Sequence, residues 1–347
     1  MKYFFLTLLP RNAIITSSNY KKVEVVMAKL KMAVIGTGHM GRYHVNILNN
    51  MPEVDLLYVV DSNQDTLLNI ANKYDVRGVN SYTKIIKKVD AVVIAVPTSS
   101  HYLVAKDFIE AKKHVLIEKP LTRNVEEGQD IVNLARQKNV ILQVGHVERF
   151  NAAVQQLRKV VKNPYLIETR RCGPPATRIG DVGVVLDLMI HDVDIILNIV
   201  NDRVKAVSAV GTKIFSNHED VANAQIVFEN GCIANIIASR VTQQKARTLK
   251  ISQKDSFISL NYGEQDLEIY RQASSAYLLT PDEIQYSQES FVEKVYIQKD
   301  NPLKLELQHF VNCIEGKETP LVNNENDILA LDVTNRILRK IHENFKK

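Results

Sequence analysis

The stretch from Lys31 to Asp61 leaves this chain few folds to choose from. Lys31-Met-Ala-Val-Ile35 is a short apolar run, Gly36-Thr-Gly38-His-Met-Gly41 follows it directly, a helical pattern continues to Asn50, and a second apolar run spans Val54 to Val60. Strand, glycine-rich turn, helix, strand is the order that a dinucleotide-binding turn requires. Gly36 allows the tight turn, Gly38 lets backbone approach a pyrophosphate, and Gly41 permits close helix packing. His39 and Met40 sit on the same turn, at a helix N-terminus whose N–H groups and positive dipole end favour phosphate. The glycine spacing alone is a weak signal. Asp61 strengthens it, because it stands 20 residues past Gly41 at the end of the second strand. A carboxylate there accepts hydrogen bonds from the adenosine ribose and repels a 2′-phosphate, so NAD is the expected cofactor.

The alternation then continues. The pattern predicts a helix from Asn63 to Tyr74, a strand near Val76 to Val79, a helix around Thr83 to Lys88, and a strand from Ala91 to Val96 whose unbroken apolar run suits burial on both faces. Pro97-Thr98-Ser-Ser-His101 leads into a helix ending at Ala111, and the strand His114 to Ile117 leads into Glu118-Lys119-Pro120. Asn124, with Glu127 three residues on, opens a helix to Lys138, and the strand Ile141 to Val144 ends at Gly145. Ligands of open parallel sheets bind beyond the carboxyl ends of the strands. Gly36, Asp61, Pro97, Glu118 and Gly145 are therefore expected around one crevice, with Thr98, His101 and Lys119 beside them.

After a helix from Asn151 to Val161 the pattern becomes strand-like with hairpin signals. Ala222 to Phe228 and Cys232 to Ser239 flank Asn230-Gly231, which predicts a type I′ turn. Further strands read at Val204–Val210, Thr248–Ser252, Phe257–Tyr262, Leu267–Tyr270 and Lys294–Gln298, and two amphipathic helices close the chain at Leu303–Glu315 and Asp327–Phe345. The expected architecture is an α/β Rossmann-type dinucleotide-binding domain, residues 30–150, followed by an α+β domain with a largely antiparallel open sheet, residues 151–300. Residues 301–347 would then pack back near the first domain. Residues 1–29 read as a disordered extension: they begin with a short apolar run but lack a signal-peptidase-type site.

The chemistry points to the helix around residues 183–199. Leu186, Ile190, Val193, Leu197 and Val200 share one side, and Asp187, His191 and Asp194 the other. An imidazole suits the removal of a hydroxyl proton, and Asp187 lies one helical turn before it. The same spacing would suit a metal pair, but no third or fourth ligand is evident, so no metal is expected. Arg149, Arg170, Arg171 and Arg178 fall in the segments bracketing this helix, and guanidinium groups offer paired donors to phosphate. They are the expected substrate-binding residues for an anionic substrate.

Composition removes other classes. Of the net charge of +5, most lies in residues 1–29, where Lys2, Arg11, Lys21, Lys22 and Lys29 face Glu24 alone. The rest is close to neutral and gives no basic field for nucleic acid. No apolar run is long enough to span a bilayer. Cys172, Cys232 and Cys313 are odd in number and far apart, which fits a reducing cytoplasm rather than a disulfide framework.

Taken in order, Gly36-x-Gly38-x-x-Gly41-x-x-His44, Pro97-Thr-Ser-Ser-His101, Glu118-Lys119-Pro120 and Asp187-x-x-x-His191 resemble the Gfo/Idh/MocA oxidoreductases over roughly residues 30 to 345. The resemblance implies that Lys119, Asp187 and His191 line the site around the nicotinamide. Gly145-His-Val-Glu-Arg149-Phe-Asn and Arg170-Arg-Cys-Gly-Pro-Pro175-Ala-Thr-Arg178 are similar to the UDP-N-acetylglucosamine 3-dehydrogenase subgroup, with Ala152 where that subgroup has proline. That similarity implies oxidation of a UDP-sugar at C3, a pyridoxal-phosphate aminotransferase as pathway partner, a role in cell-envelope lipid synthesis, and a homodimer or homotetramer. A polyol such as myo-inositol is the other substrate considered, and a non-catalytic NAD-binding regulator the reading from another class.

Overall fold

Six parallel strands form the first sheet of the computed structural model, which describes residues 13–14, 26–175, 182–279 and 284–345. They are β1 (Leu30–Ile35), β2 (Val54–Val60), β3 (Arg77–Val79), β4 (Ala91–Ile94), β5 (His114–Glu118) and β6 (Leu142–Gly145), in the order β3-β2-β1-β4-β5-β6. The order reverses between β1 and β4, which opens a crevice at their carboxyl ends. Every residue of β4 is buried, because helices cover both faces. On one face α3 (Thr98–Glu110) and α4 (Val125–Lys138) contribute Phe108, Ile109, Ile131 and Val132. On the other, α1 (His39–Leu48) and α2 (Gln64–Tyr74) contribute Val45, Leu48, Leu67 and Ala71. Asparagines start two of these helices: the Asn63 side chain accepts from Thr66 N at 2.9 Å and that of Asn124 from Glu127 N at 2.8 Å. The helix expected at Thr83–Lys88 is two short 3-10 turns, Tyr82–Lys84 and Ile86–Lys88. The span before β4 is too short for an α-helix to propagate.

The second sheet contains β7 (Leu166–Cys172), β8 (Val204–Thr212), β9 (Val221–Phe228), β10 (Ile233–Ser239), β11 (Ala246–Gln253), β12 (Ser256–Asn261), β13 (Asp266–Leu279) and β14 (Ile284–Lys294). Their order is β8-β9-β10-β7-β11-β12-β13-β14, and among the described residues β10 and β7 are the one parallel pair. The β9–β10 turn differs from expectation. Gly231 has φ 85° while Asn230 is not left-handed, and Phe228 N donates to Cys232 O at 2.9 Å. The connection is thus the three-residue loop 229–231 with glycine at its left-handed position. Keeping both Phe228 and Cys232 buried sets that register. The strand expected at Lys294–Gln298 is largely absent: β14 ends at Lys294, Val295 N still donates to Leu267 O at 3.0 Å, and Val295 and Ile297 supply the alternation by packing on the core.

The inner face of this sheet, including Ile167, Ala224, Ile236, Leu249 and Ile251, packs on α5 (Ala152–Val160), α6 (Ile190–Val200) and α8 (Asn324–Phe345). The outer face exposes Glu168, Arg170 and Lys250. α7 (Pro302–Ile314) lays Leu307, Phe310 and Val311 on the first sheet. α8 joins both cores, Ile328 entering the first and Ala330, Val333 and Ile337 the second. No helix among the described residues is long and apolar enough to cross a membrane. Within the expected extension, Ala13–Ile14 pairs with Val26–Met27; residues 1–12 and 15–25 lie outside the described residues, as does Arg178.

Candidate active site

The glycine turn is closed on two sides and open on the third. Gly36 has φ 89°, and a Cβ there would lie 2.6 Å from Ala95 O; one on Gly41 would collide with the Gly36 carbonyl. A Cβ on Gly38 would meet nothing within 4 Å. Gly38 also caps α1 without a capping side chain, so the first N–H groups of the helix are left for an incoming anion. Asp61 Oδ2 accepts from Thr37 N and Thr37 Oγ1, each at 2.8 Å, and Oδ1 from Asn63 N at 2.9 Å. This half-exposed carboxylate therefore fixes the turn it would share with the ribose. His39 is exposed, Met40 half-buried, and Pro97 and Thr98 begin α3 at the same end of the sheet. These residues fit a dinucleotide.

Three residues expected to face the cofactor lie beneath the crevice instead. His101 is buried, with Nδ1 2.9 Å from Pro120 O and Nε2 2.9 Å from Val96 O, so it ties together the loops after β4 and β5. Glu118 is buried with its Oε1 2.7 Å from His44 Nε2, and its Oε2 accepts from Lys119 N at 3.3 Å. Burial raises the Glu118 carboxyl, but His44 and Lys119 outweigh it and hold the group below the usual range. Gly145 is the packing partner, since a Cβ would come within 3.2 Å of Glu118 Cα. Together His44, Glu118 and Gly145 position the backbone of Lys119.

Lys119 reaches across to the helix of the second half. Its Nζ donates to Asp187 O at 2.7 Å and to Asp187 Oδ1 at 3.3 Å. Asp187 lies on a π-helical turn, Val185–Met189, that runs into α6. Such wide turns are frequent at functional sites. Glu219 holds its start: Val184 N donates to Glu219 O at 2.9 Å, and Val185 N to Glu219 Oε1 at 3.2 Å. His191 follows on α6, half-buried, with an Nδ1 that has no hydrogen-bond partner. Burial, then the positive charges of Lys119 and Arg171, with lesser effects of His146 and Arg247, drives its pKa well below the usual histidine value. His191 is therefore a neutral imidazole at physiological pH and a competent proton acceptor.

The arginines correct the sequence reading. Arg149 is buried and donates from Nε to Asp194 Oδ2 at 2.8 Å and from Nη2 to Asp194 Oδ1 at 2.5 Å and Asp327 Oδ1 at 2.6 Å. Asp194 is accordingly not on a solvated face. Arg171 is buried too, paired with Asp192 at 3.0 Å and Glu148 at 2.7 Å, its guanidinium 4.7 Å from the Tyr262 ring centre. Both are buried and paired with carboxylates inside the protein, so neither is placed to grip a substrate. Arg170 points to the outer face of the second sheet, away from His191. The one cluster of His and carboxylate atoms with metal-ligand spacing among the described residues, His146, Asp194 and Asp327, has Arg149 hydrogen-bonded to both carboxylates and includes neither Asp187 nor His191.

Residues 30–146 match the model of the oxidoreductase family with an NAD-binding Rossmann fold, and residues 144–259 match the GFO/IDH/MocA C-terminal domain. The chain is 32% identical over 289 residues to a UDP-N-acetylglucosamine 3-dehydrogenase of Acidithiobacillus ferrooxidans, covering 83% of this chain and 90% of that one. It belongs to the Gfo/Idh/MocA oxidoreductase family. A solved structure of the Acidithiobacillus enzyme superposes with a TM-score of 0.83 at 30% identity, over 91% of this chain and 99% of that one. A scyllo-inositol 2-dehydrogenase (NAD(+)) of Bacillus subtilis is 27% identical over 330 residues, 88% of this chain and 92% of the relative. As a family member the protein is an NAD-binding dehydrogenase acting on a hydroxyl group, with a Rossmann fold followed by a mostly antiparallel sheet.

Proposed function

We propose that the protein oxidises the C3 hydroxyl of a UDP-linked N-acetylhexosamine, UDP-N-acetylglucosamine being the first candidate, to a 3-keto sugar. The observation that carries the reading is the bond of Lys119, just past the carboxyl end of β5, to Asp187, with a neutral His191 one helical turn further along and under the charge of Lys119. The Acidithiobacillus relative supports the choice of sugar. Bound NAD supplies the hydride acceptor. His191 takes the hydroxyl proton, Lys119 faces the oxygen on which negative charge develops, and Asp187 holds the ammonium in place. A ketone at C3 is a substrate for transamination, so a pyridoxal-phosphate aminotransferase is the proposed consumer of the product.

Inositol is the second reading, supported by the Bacillus subtilis relative, which acts on scyllo-inositol. NAD reduction, followed at the nicotinamide absorbance, separates the two when UDP-N-acetylglucosamine, UDP-N-acetylglucosaminuronic acid and myo-inositol are offered in parallel. An aminotransferase with glutamate removes the keto product. Turnover with UDP-N-acetylglucosamine is expected; turnover with inositol alone refutes the nucleotide-sugar reading.

A further inference from the structure

With Arg149 and Arg171 committed to internal carboxylates and Arg170 on the outer face, one described arginine beside the site remains without a partner. Arg247 stands on β11 directly opposite Arg171 of β7. It is in phase with the buried Leu249 and Ile251, so its side chain rises from the inner face of the sheet, the face that carries α6 and His191. Yet it is exposed to solvent, and no side chain among the described residues bonds its guanidinium. Its surroundings leave it short of negative charge: the partial desolvation at the root of the cleft and Arg171 act against its ionisation, opposed by Glu148, Asp192 and Asp187. Glu148 and Asp192 are already bonded to Arg171, and Asp187 to Lys119. Its charge is felt at His191.

We propose that Arg247 is the anion anchor of the substrate cleft, taking the diphosphate of a nucleoside-diphosphate sugar while the sugar ring lies over His191 and Lys119. The inference rests on the nucleotide-sugar reading and deepens it. A guanidinium offers two parallel donors to phosphate and holds them in a fixed plane, which suits a diphosphate better than a neutral polyol. The cofactor's own phosphates belong to the glycine turn of the first sheet, so the anion at Arg247 is the substrate's.

The test uses the full chain with NAD and four proteins: wild type, R247M, R247K and, as a control on the outer face of the same strand, K250M. UDP binding is measured by calorimetry, KM and kcat with UDP-N-acetylglucosamine, and NAD binding by fluorescence. Loss of a charge-assisted contact to an anion predicts roughly a 10- to 100-fold rise in both the UDP Kd and KM for R247M, with NAD affinity unchanged. R247K, which keeps the charge without the fork, should fall between and also serves if R247M does not fold. K250M should match wild type. If wild type uses UDP-N-acetylglucosamine while both Arg247 variants keep its KM and UDP affinity, the role of Arg247 is overturned and the function stands. If wild type neither binds UDP nor oxidises the UDP-sugar but reduces NAD with myo-inositol, the substrate reading is overturned and the anchor with it.

Discussion

Replacing Arg149 by Met should destabilise the protein far more than it alters substrate affinity. Arg149 follows β6 of the first sheet, Asp194 lies on α6 of the second half, and Asp327 on α8, so one guanidinium pins three elements. The carboxylate side chains are 2% and 1% exposed and that of Arg149 7%. Burial by itself would raise the Asp194 carboxyl; Arg149 reverses this and holds it below the usual range. Met fills the stem's volume but leaves two buried carboxylates facing each other. Removing one member of a buried ion pair costs about 3–5 kcal/mol. At the entropy of unfolding of a chain of this size that is a fall in Tm of about 4–7 °C. Scanning calorimetry of the full chain, together with KM for the sugar in the variant at low temperature, checks it. A variant that melts with wild type and loses substrate affinity would refute the structural assignment of Arg149 and restore it to the substrate site.

Three further outcomes follow from the same geometry. Substituting His191 by Asn should lower kcat by roughly 100- to 10,000-fold with NAD binding intact, and because its pKa is depressed by burial, the acid limb of wild-type kcat/KM should fall below pH 6.5; a limb above 6.5 or an unimpaired variant removes His191 as the base. Glu306 on α7 is buried with neither carboxyl oxygen bonded, and burial pushes its pKa well above the usual value, so the folded state retains a proton that the unfolded chain releases above about pH 4.5. Stability from this group is present below that pH and lost as pH rises through the folded pKa; E306Q should thus gain Tm relative to wild type at pH 8 but not at pH 5, and an equal difference at both would contradict a protonated Glu306. The Asp61 carboxylate holds Thr37 and would repel a 2′-phosphate, so D61S should weaken NAD and shift the NADP-to-NAD ratio of kcat/KM upward by about 10-fold or more, which initial rates with both cofactors would show.

How legible these features were depended on how far their causes lie apart in the chain. The first sheet is written locally. Most of its strands are short apolar runs, α2 and α4 begin at the capping residues Asn63 and Asn124, and Gly36 and Gly41 are needed for contacts within the turn or with the end of the neighbouring strand. Motif and helical spacing single out Lys119, Asp187 and His191 as candidates, although the 2.7 Å bond from Lys119 Nζ to the Asp187 carbonyl, across 68 residues, is not written there. Arg149 misled because its partners lie 45 and 178 residues away, and a buried ion pair and a phosphate site use the same residue type. His101 and Glu118 misled for the opposite reason: one stands in the first turn of α3 and the other at the end of β5, both beside the crevice, but their side chains turn inward to carbonyls and to His44. Arg247 did leave a signal, a charge in phase with the apolar Leu249 and Ile251 of one strand. Reading it required knowing that this strand pairs with the one bearing Arg171.

The most direct test of the proposed chemistry follows the hydrogen itself. UDP-N-acetylglucosamine carrying deuterium at C3 is incubated with the protein, NAD, and the aminotransferase with glutamate, and the reduced cofactor is analysed by mass spectrometry. The account predicts reduced nicotinamide that has gained the deuterium, and H191N forming it at a rate lower by the factor given above. Reduced cofactor without deuterium, or deuterium retained in the sugar while NAD is reduced, would contradict oxidation at C3.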